Sequence, residues 1–540
     1  MKTSLYRVAV RGILCSLLPL FALLFTMLPV AAARDGQNTA GVAPLSGPDV
    51  SSIDAFVSSE MLANRIPGLS LGIVHGTQIV HLQGFGAADA TGRMVTPQTP
   101  FMIGSMSKSF TALAVMQLVE AGKVELDAPA QRYLPWFRVA DPTASARITV
   151  RQLLNQTSGI PANSENELKE GFLSTGNVTL EQYVRGLKTL VLDRPVGASF
   201  EYANTNYSVL GLIVQTVSGQ SYETYIQQHI FSPLQMSHSF ASEQDARRDG
   251  LAQGYQLWFG FPFPTSMPYL RDLLPAGYII STAEDMAHYL IAQMSGGRFE
   301  NASVLSSAGM ATMHAPAAVM FPGTSYGMGW ANGPINGVPT IWHNGSTGNF
   351  YSDMILVPKS QWGIVVLSNE SGLPALLTGS VEAIAGGVMN MLVGQKPSPS
   401  GPGVGTIYLI LDSIFVLISA LVLWSTLRLP RWYEKFGRRW RQPGRLKRGF
   451  KLGRVGLRLT WELILPALLL GLPILNGYIA WRTLFFNAPD IVSWLLVILT
   501  LLLITGIIRA VLMVRVLRRA SVDRPAMTPS PAPNPAQPFV

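Results

Sequence analysis

The sequence predicts a mixed α/β domain followed by membrane-spanning helices. Apolar runs typical of strands lie near both ends of residues 48–395, and stretches with helical periodicity lie between them. This order favours a mixed α/β (α+β) unit over a series of βαβ repeats. Three long apolar stretches follow, at about 405–424, 459–481 and 490–514. Each is long enough, as a helix, to cross a hydrocarbon core of about 30 Å.

Local patterns within residues 48–395 predict individual elements. They are a hairpin of Ser70–Val74 and Gln78–Leu82, a helix over Ser107–Ala121, and neighbouring strands at Met354–Val357 and Gly363–Leu367. The helix is expected to stop at Gly122, because glycine commonly ends helices.

The first 33 residues predict a secretory signal peptide. Basic residues precede an apolar run that begins at Ile13, and Ala31-Ala-Ala33 offers a small-residue cleavage site. The apolar run is long, so an uncleaved signal anchor is the alternative. Either form exports the domain that follows, after a loose polar leader at residues 34–47.

The charge distribution indicates membrane topology rather than a nucleic-acid partner. Residues 428–458 carry 12 Lys/Arg and one acidic residue, which leaves the rest of the 540-residue chain with a net charge of about −2 out of the total of +9. Basic segments beside spans face the cytoplasm. We therefore expect residues 428–458 to form a basic cytoplasmic loop, and residues 48–395 to be extracellular or periplasmic.

The remaining segments complete a multi-pass topology with lipid as a partner. Residues 396–404 are rich in Pro, Gly and Ser and predict a linker. Residues 515–540 begin with arginines and become rich in proline, so we expect a disordered cytoplasmic tail.

Three ionisable residues lie within the predicted spans. Glu462 and Arg509 are expected at a similar depth near the cytoplasmic side, so they could pair. Snorkelling toward the interface is the interpretation that we favour for both, and less so for Asp412. Asp412 has no obvious partner at its level. A transport function of the three helices has little support.

Ser105-Met-Ser-Lys108, at the start of the predicted helix, is the main candidate for chemistry. Residues at i and i+3 share one helix face, so the lysine could accept the proton that a serine loses on attacking an acyl carbon. The tetrapeptide alone is a weak signal. Tyr202-Ala-Asn204 and His343-Asn-Gly345 follow it along the chain.

Metal and cofactor chemistry have no support in the sequence. The single cysteine, Cys15, lies in the N-terminal apolar segment, so the chain cannot form an internal disulfide. The seven histidines lack the close spacing of metal ligands. We expect neither a metal ion nor a cofactor.

Five blocks of sequence, in order, carry a resemblance to a known family. They are Phe101–Phe110, Ile148–Gly159, Phe200–Tyr207, Gly277–Met286 and His343–Gly348. Together they resemble the serine β-lactamase-related family of class C β-lactamases, D-alanyl-D-alanine carboxypeptidases, D-aminopeptidases and esterases. The resemblance covers residues 65–390. It implies a β-lactamase/transpeptidase-like fold, with an antiparallel sheet flanked by helices and a helical subdomain, and it says nothing about the membrane part.

The resemblance implies catalytic roles for three residues. Ser105 would be the acylated nucleophile at a helix N-terminus, where developing negative charge is favoured. Lys108 would be buried beside it, and burial would favour the neutral amine that accepts a proton. Tyr202 would share the general acid–base work. An N-cap serine, a surface lysine and a core tyrosine are the structural alternatives.

The resemblance also implies a substrate-binding strand edge. Asn204 would bind a substrate amide, although asparagine is common in turns. Gly345 would let substrate backbone approach, and the backbone N–H of Ser346 would form an oxyanion hole with that of Ser105. His343 stands where many relatives have lysine and is the fourth candidate catalytic residue; a structural strand histidine is the alternative.

Two departures from the family pattern bear on function. Histidine is mostly neutral at pH 7, whereas lysine offers a permanent cation to a substrate carboxylate, so His343 favours a carboxypeptidase or esterase over a β-lactamase. Gln156 stands where relatives often have histidine, in a block expected to pack near the site without performing chemistry. No dedicated general base for deacylation can be assigned from the sequence.

The sequence therefore predicts a membrane-anchored, externally facing serine hydrolase. It would act through an acyl-enzyme on an amide or ester of a small molecule or peptide, such as a D-amino-acid peptide or a cell-wall fragment. The alternative is a ligand-binding or penicillin-sensing module that acylates without turnover and signals through the membrane helices. The substrate and the oligomeric state stay open.

Overall fold

A computed structural model describes residues 49–162, 178–372, 378–397, 401–441, 445–475 and 488–522. The predicted signal peptide (1–33) and leader (34–47) lie outside these residues.

An eight-stranded antiparallel sheet forms the centre of the domain. The strands in chain order are β1 Gly68–His75, β2 Gln78–Gly86, β3 Phe101–Met102, β4 Gly254–Trp258, β5 Phe261–Thr265, β6 Ile280–Ser281, β7 Arg298–Phe299, β8 Ala302–Ser303, β9 Ala318–Phe321, β10 Thr324–Tyr326, β11 Ala331–Ile335, β12 Val338–Ser346, β13 Tyr351–Val357 and β14 Trp362–Ser368. The large sheet has the order β2-β1-β14-β13-β12-β11-β10-β9, and β3–β6, β4–β5 and β7–β8 form two-stranded sheets. The predicted hairpin and the two late strands are confirmed as β1–β2 and β13–β14, each with longer bounds.

The large sheet is covered on both faces, which explains the nearly continuous apolar sequence of its central strands. Successive side chains of a strand point to opposite faces. In β13, Met354 and Leu356 belong to the core of the helical subdomain, whereas Ile355 and Val357 belong to a second core on the other face. The sheet therefore separates two cores, and β12, which carries the candidate substrate edge, lies beside β13.

Helices cover the sheet and form the helical subdomain. Those of the domain are Val50–Asn64, Ser107–Glu120, Pro142–Ser145, Val150–Leu154, Leu180–Gly186, Asn204–Ser218, Tyr222–Ile226, Glu243–Arg248, Leu274–Gly277, Ala283–Met294, Ser307–His314 and Ser380–Leu392. The first and the last pack on one face of the sheet, and the helical subdomain packs on the other.

The helix Ser107–Glu120 ends where the sequence predicted. Gly122 adopts a left-handed φ of 67°, and its N–H bonds to the carbonyl of Val119 while that of Lys123 bonds to Leu118. Such a glycine satisfies carbonyls that a helix end leaves free. The helix is buried almost along its whole length, which holds the candidate nucleophile segment at its start in place.

Two helices in the described part of the chain are long and apolar enough to cross a membrane. They are Val404–Leu427 and Pro489–Ala520, and they correspond to the first and third predicted spans. Over the second predicted span the described residues include a π-helical turn Thr460–Ile464 and a helix Leu465–Leu475, and residues 476–487 lie outside the description. The described residues thus contain two candidate spans rather than three.

Two features of the predicted membrane part differ from the sequence prediction. The segment 428–458, expected as a loop, contains the helices Leu429–Arg441 and Arg445–Leu459. Aromatic residues of the first of these helices, including Phe436, pack with Val455 and Val516. This apolar stripe stabilises helical structure in the basic segment. The last helix continues to Val522, eight residues past the predicted end of the span, and the rest of the predicted tail lies outside the described residues.

Glu462 and Arg509, for which the sequence favoured snorkelling and left pairing open, form an ion pair. Arg509 Nε lies 2.6 Å from Glu462 Oε2, and Arg458 Nε lies 2.9 Å from the other carboxylate oxygen. Glu462 and Arg509 are both buried. A buried charge is tolerated when it is paired and hydrogen-bonded, so this cluster ties the last helix to the helical segment before it.

Candidate active site

Ser105 lies in a 3-10 turn, Gly104–Met106, that leads directly into the helix Ser107–Glu120. Gly104 has a φ of 52°, and a Cβ at this position would lie 2.4 Å from the backbone nitrogen of Ser346. The hydroxyl of Ser107 donates to the carbonyl of Gly104 at 2.7 Å and accepts from the N–H of Ile279 at 3.0 Å. The turn that carries Ser105 is therefore held from two sides.

Lys108 is fully buried and points at Ser105. Its Nζ lies 3.0 Å from Ser105 Oγ, 2.6 Å from Asn204 Oδ1 and 2.7 Å from the carbonyl oxygen of Ala276. All three oxygens lie within hydrogen-bond distance of the amine nitrogen. The predicted juxtaposition of Ser105 and Lys108 is present in the structure, and Asn204, which was expected to bind a substrate amide, also contacts the lysine.

Tyr202 lies beside the lysine. Lys108 Nζ is 4.7 Å from the centre of its ring, and the rings of Tyr326 and His343 lie 6.1 and 6.3 Å away. A cation over a tyrosine face is a favourable contact. The three separated sequence motifs therefore converge on one place, at the start of the helix Ser107–Glu120.

The edge of β12 approaches the nucleophile turn at backbone distance. A Cβ at Gly345 would lie 2.2 Å from the carbonyl oxygen of Ile103 and 2.7 Å from the nitrogen of Ser105. The hydroxyl of Ser352, on β13, donates to the same Ile103 carbonyl at 2.7 Å. Glycine is required here because the two backbones touch, and this contact brings the backbone of Ser346 beside that of Ser105.

His343 is buried in a defined tautomer. Its Nδ1 lies 2.6 Å from the carbonyl oxygen of Asn344, which can only accept, so Nδ1 carries the proton. The hydroxyl of Tyr326 then donates to Nε2 at 3.2 Å. Burial, assisted by the charge of Lys108, lowers the pKa of His343 to about 3. The ring is therefore neutral at pH 7, and both of its nitrogens are engaged.

Two residues near the site were not expected to matter. Tyr326 was not singled out, yet its phenol donates to Nε2 of His343, and burial holds the pKa of that phenol well above its usual range. Gln156 supports the segment that carries Tyr202: its side-chain oxygen accepts from the N–H of Ala203 at 3.0 Å and from the amide of Asn206 at 2.5 Å. Only its place in the second sequence block could have indicated this.

No three His, Cys, Asp or Glu side chains within the described ranges are grouped so as to hold a metal ion. The chemistry of the cluster is that of a hydroxyl, an amine, a phenol and backbone N–H groups. Such a set can activate a nucleophile and stabilise an oxyanion.

Comparison with known proteins defines the class. Residues 53–385 match the family described as Beta-lactamase. Because the match covers more than half of the chain, the chain belongs to this family, and the β-lactamase/transpeptidase-like fold inferred from the five blocks is confirmed.

Curated relatives share this domain. The chain is 31% identical over 320 residues to "Protein flp" of Staphylococcus aureus, covering 59% of this chain and 62% of that protein. It is 30% identical over 315 residues to "Penicillin-binding protein 4" of Amycolatopsis lactamdurans, covering 57% of this chain and 81% of the relative. The match to the staphylococcal protein thus spans less than two thirds of its length.

Solved structures agree on the fold. An octameric penicillin-binding protein homologue from Pyrococcus abyssi superposes with a TM-score of 0.56 at 29% identity, covering 65% of this chain and 78% of that one. EstCE1, a hydrolase with promiscuous acyltransferase activity, gives a TM-score of 0.52 at 22% identity and covers 59% and 93%. The second likeness extends to the fold alone.

Proposed function

We propose that this protein is a membrane-anchored serine hydrolase that forms an acyl-enzyme on Ser105. The observation that carries the proposal is the buried amine of Lys108, 3.0 Å from the serine hydroxyl. Membership of a family of serine hydrolases supports it. The two apolar helices and the basic segment between them support a domain outside the cell, anchored in lipid.

The hydrogen bonds of Lys108 suit a proton acceptor. A neutral amine keeps two N–H groups and one lone pair. The oxygens of Asn204 and Ala276 can only accept here and take the two N–H groups, which leaves the lone pair facing Ser105 Oγ. In the acylation step Lys108 takes the hydroxyl proton while Oγ attacks the acyl carbon.

The remaining steps follow from the surrounding groups. The N–H groups of Ser105 and Ser346 stabilise the tetrahedral oxyanion. The proton passes from Lys108 to the leaving amine or alcohol, with the phenol of Tyr202 beside it as the relay. Water then attacks the acyl-enzyme and gives its proton to Lys108. Lys108 returns this proton to Ser105 Oγ as the acyl–oxygen bond breaks, which releases the acid and restores the serine hydroxyl and the neutral amine.

The environment of His343 favours a peptidase or esterase over a β-lactamase. A neutral histidine, bonded on both nitrogens, offers no positive charge to a substrate carboxylate. We assign it to positioning the β12 edge. Candidate substrates are D-amino-acid peptides, cell-wall fragments and small esters, held by Asn204 and the backbone at Gly345.

Active-site labelling tests the proposal. The full chain, in detergent, is incubated with a fluorescent fluorophosphonate and with a labelled penicillin. We expect labelling that Ser105→Ala abolishes and that Ser59→Ala, at an exposed position on the first helix, leaves unchanged. Labelling that persists in Ser105→Ala would contradict the assignment of the nucleophile.

A penicillin-sensing module is the second candidate, and one chain of contacts favours it. Ser346 Oγ lies 3.0 Å from Ser371 Oγ, and the N–H of Ser371 bonds to the carbonyl of Tyr255 on β4. The hairpin of β4 reaches Asp490 of a candidate span through the N–H of Phe259. A stable acyl-enzyme, with no release of product from any ester, lactam or D-peptide, would favour sensing over turnover.

A further inference from the structure

The β4–β5 hairpin (Gly254–Thr265), hereafter the aromatic hairpin, exposes large apolar side chains. Phe259, Phe261 and Phe263 are 37%, 67% and 55% exposed. Single exposed apolar residues are common on protein surfaces, but three aromatic rings within five residues form a patch that indicates a partner.

The tip of the aromatic hairpin lies where two candidate spans begin. The N–H of Phe259 donates to Asp490 Oδ2 at 2.9 Å, in the first turn of the helix Pro489–Val522. The ring of Phe259 meets that of Phe415 edge-on, at 6.4 Å between ring centres, and Phe415 stacks on Trp494 at 4.2 Å. The hairpin thus contacts both spans directly.

The charges of the last helix show the depth of this contact. Asp490 and the paired Arg509 are 19 residues apart, which at 1.5 Å per residue is a rise of about 28 Å. This rise matches a hydrocarbon core of about 30 Å. Asp490 therefore marks the boundary of the bilayer on the domain side, and Trp494 and Phe415 lie about one turn deeper, as aromatic residues of membrane interfaces do.

The tip is held rigidly in this position. Arg65 donates to the carbonyl of Gly260, and its guanidinium lies 5.0 Å from the ring centre of Phe261. A Cβ at Gly260 would lie 2.9 Å from Cβ of Tyr408 on the first span, and the φ of Gly260 is 76°. The exposed rings are consequently fixed at the level of the interface.

The sequence of β5 argues against a protein strand as the partner. It reads Phe-Pro-Phe-Pro-Thr over Phe261–Thr265, so Pro262 and Pro264 offer no N–H to a further strand. An edge that cannot extend the sheet but presents aromatic rings suits a lipid surface, where no backbone hydrogen bonds are needed.

We infer that the aromatic hairpin inserts Phe261 and Phe263 into the interfacial layer of the bilayer, with phospholipid as its partner. On the proposed anchoring in lipid, the described residues then attach the domain to the membrane at three points, the two candidate spans and the hairpin. The root of the hairpin reaches the site: Gln256 Nε2 donates to the carbonyl of Gly348, just beyond Ser346. Lipid contact thereby sets the height and tilt of the active site above the bilayer, whatever reaction takes place there.

A fluorescent probe at the tip tests this inference. In a Cys15→Ser background, Pro262→Cys is labelled with an environment-sensitive fluorophore, and Val319→Cys, exposed on the edge strand β9, is the control. The full chain is reconstituted in phosphatidylcholine–phosphatidylglycerol liposomes. We expect phospholipids brominated high on the acyl chain to quench the probe at 262 at least threefold more than the probe at 319, and aqueous iodide to quench it less.

Equal quenching by iodide at both positions would overturn the inference, because the tip would then be in water. A probe at 262 that neither bromine nor iodide quenches would also overturn it, because protein would be the occupant. The unmodified chain gives a second measurement, in case the labelled variant fails to fold. A phospholipid with a photoreactive diazirine near the headgroup should label the peptide that contains 259–265, and its absence among the labelled peptides would exclude lipid contact.

Discussion

Gly345→Ala tests whether the touching backbones at β12 and the nucleophile turn build the oxyanion hole. The added Cβ would lie 2.2 Å from the carbonyl oxygen of Ile103, 2.7 Å from the nitrogen of Ser105 and 2.8 Å from Ser352 Oγ. Two of these three atoms belong to the backbone, so rotation of a side chain cannot relieve the clash. Ordinary contact requires about 3.4 Å, so the strand has to retreat from Ser105 by about 1 Å.

A retreat of this size separates the two N–H donors that must meet one oxyanion. Displacements of about 1 Å can cost about 10²-fold in rate, which corresponds to about 2.7 kcal/mol of transition-state stabilisation. We expect the second-order rate constant for fluorophosphonate acylation of Ser105 to fall about 100-fold. Stopped-flow fluorescence of the full chain in detergent measures it.

Gly386→Ala is the matched control, because its Cβ meets nothing closer than 3.7 Å and lies within a helix, where alanine is favoured. It should acylate at the wild-type rate. Gly345→Ala acylating within threefold of wild type, with an unchanged unfolding temperature, would refute the assignment of this strand edge to the oxyanion hole.

Two further predictions concern residues around the site. Gln156→Ala removes the acceptor for Ala203 and Asn206, so fluorophosphonate labelling should fall about tenfold or more as the Tyr202 segment loosens. Gln361 has a left-handed φ like that of Gln156 but is exposed, so Gln361→Ala should be labelled at the wild-type rate. Equal losses of labelling in the two variants would contradict a role of the Gln156 side chain. Burial raises the pKa of Glu370 to about 8. The folded protein therefore keeps a proton on this carboxyl that the unfolded chain loses above about pH 4.5. Stability should fall from about pH 4.5 to 8 by up to about 1.4 kcal/mol per unit, and Glu370→Gln should flatten this slope in thermal unfolding followed by tryptophan fluorescence; parallel slopes would show that the carboxyl is ionised.

The sequence predicted the parts of the site that depend on local spacing. Ser105 and Lys108 are three residues apart at the start of a helix, so their proximity follows from helix geometry alone. The β1–β2 hairpin and the β13–β14 pair follow from short apolar runs with turn residues between them. The family blocks then placed Tyr202, Asn204 and His343 near them.

The residues that the sequence did not predict act through non-local contacts. Tyr326, on β10, reaches His343, on β12, past the intervening strand β11, and Gln156 reaches Ala203 from a separate loop, so neither carries a local pattern. The helices Leu429–Arg441 and Arg445–Leu459 were also missed. The high charge of this segment indicated a loop, whereas an apolar stripe through Phe436 packs on Val455 and Val516.

The pairing of β1 with β14 governs when the candidate active site can form during synthesis. Leu69 lies opposite Ser368, so the central sheet cannot close until nearly the whole domain has been synthesised. The first candidate span begins at Val404, only a few dozen residues later. The strand edge that meets Ser105 is therefore assembled at about the time when the first candidate span is synthesised, and a partly made chain has no complete candidate site.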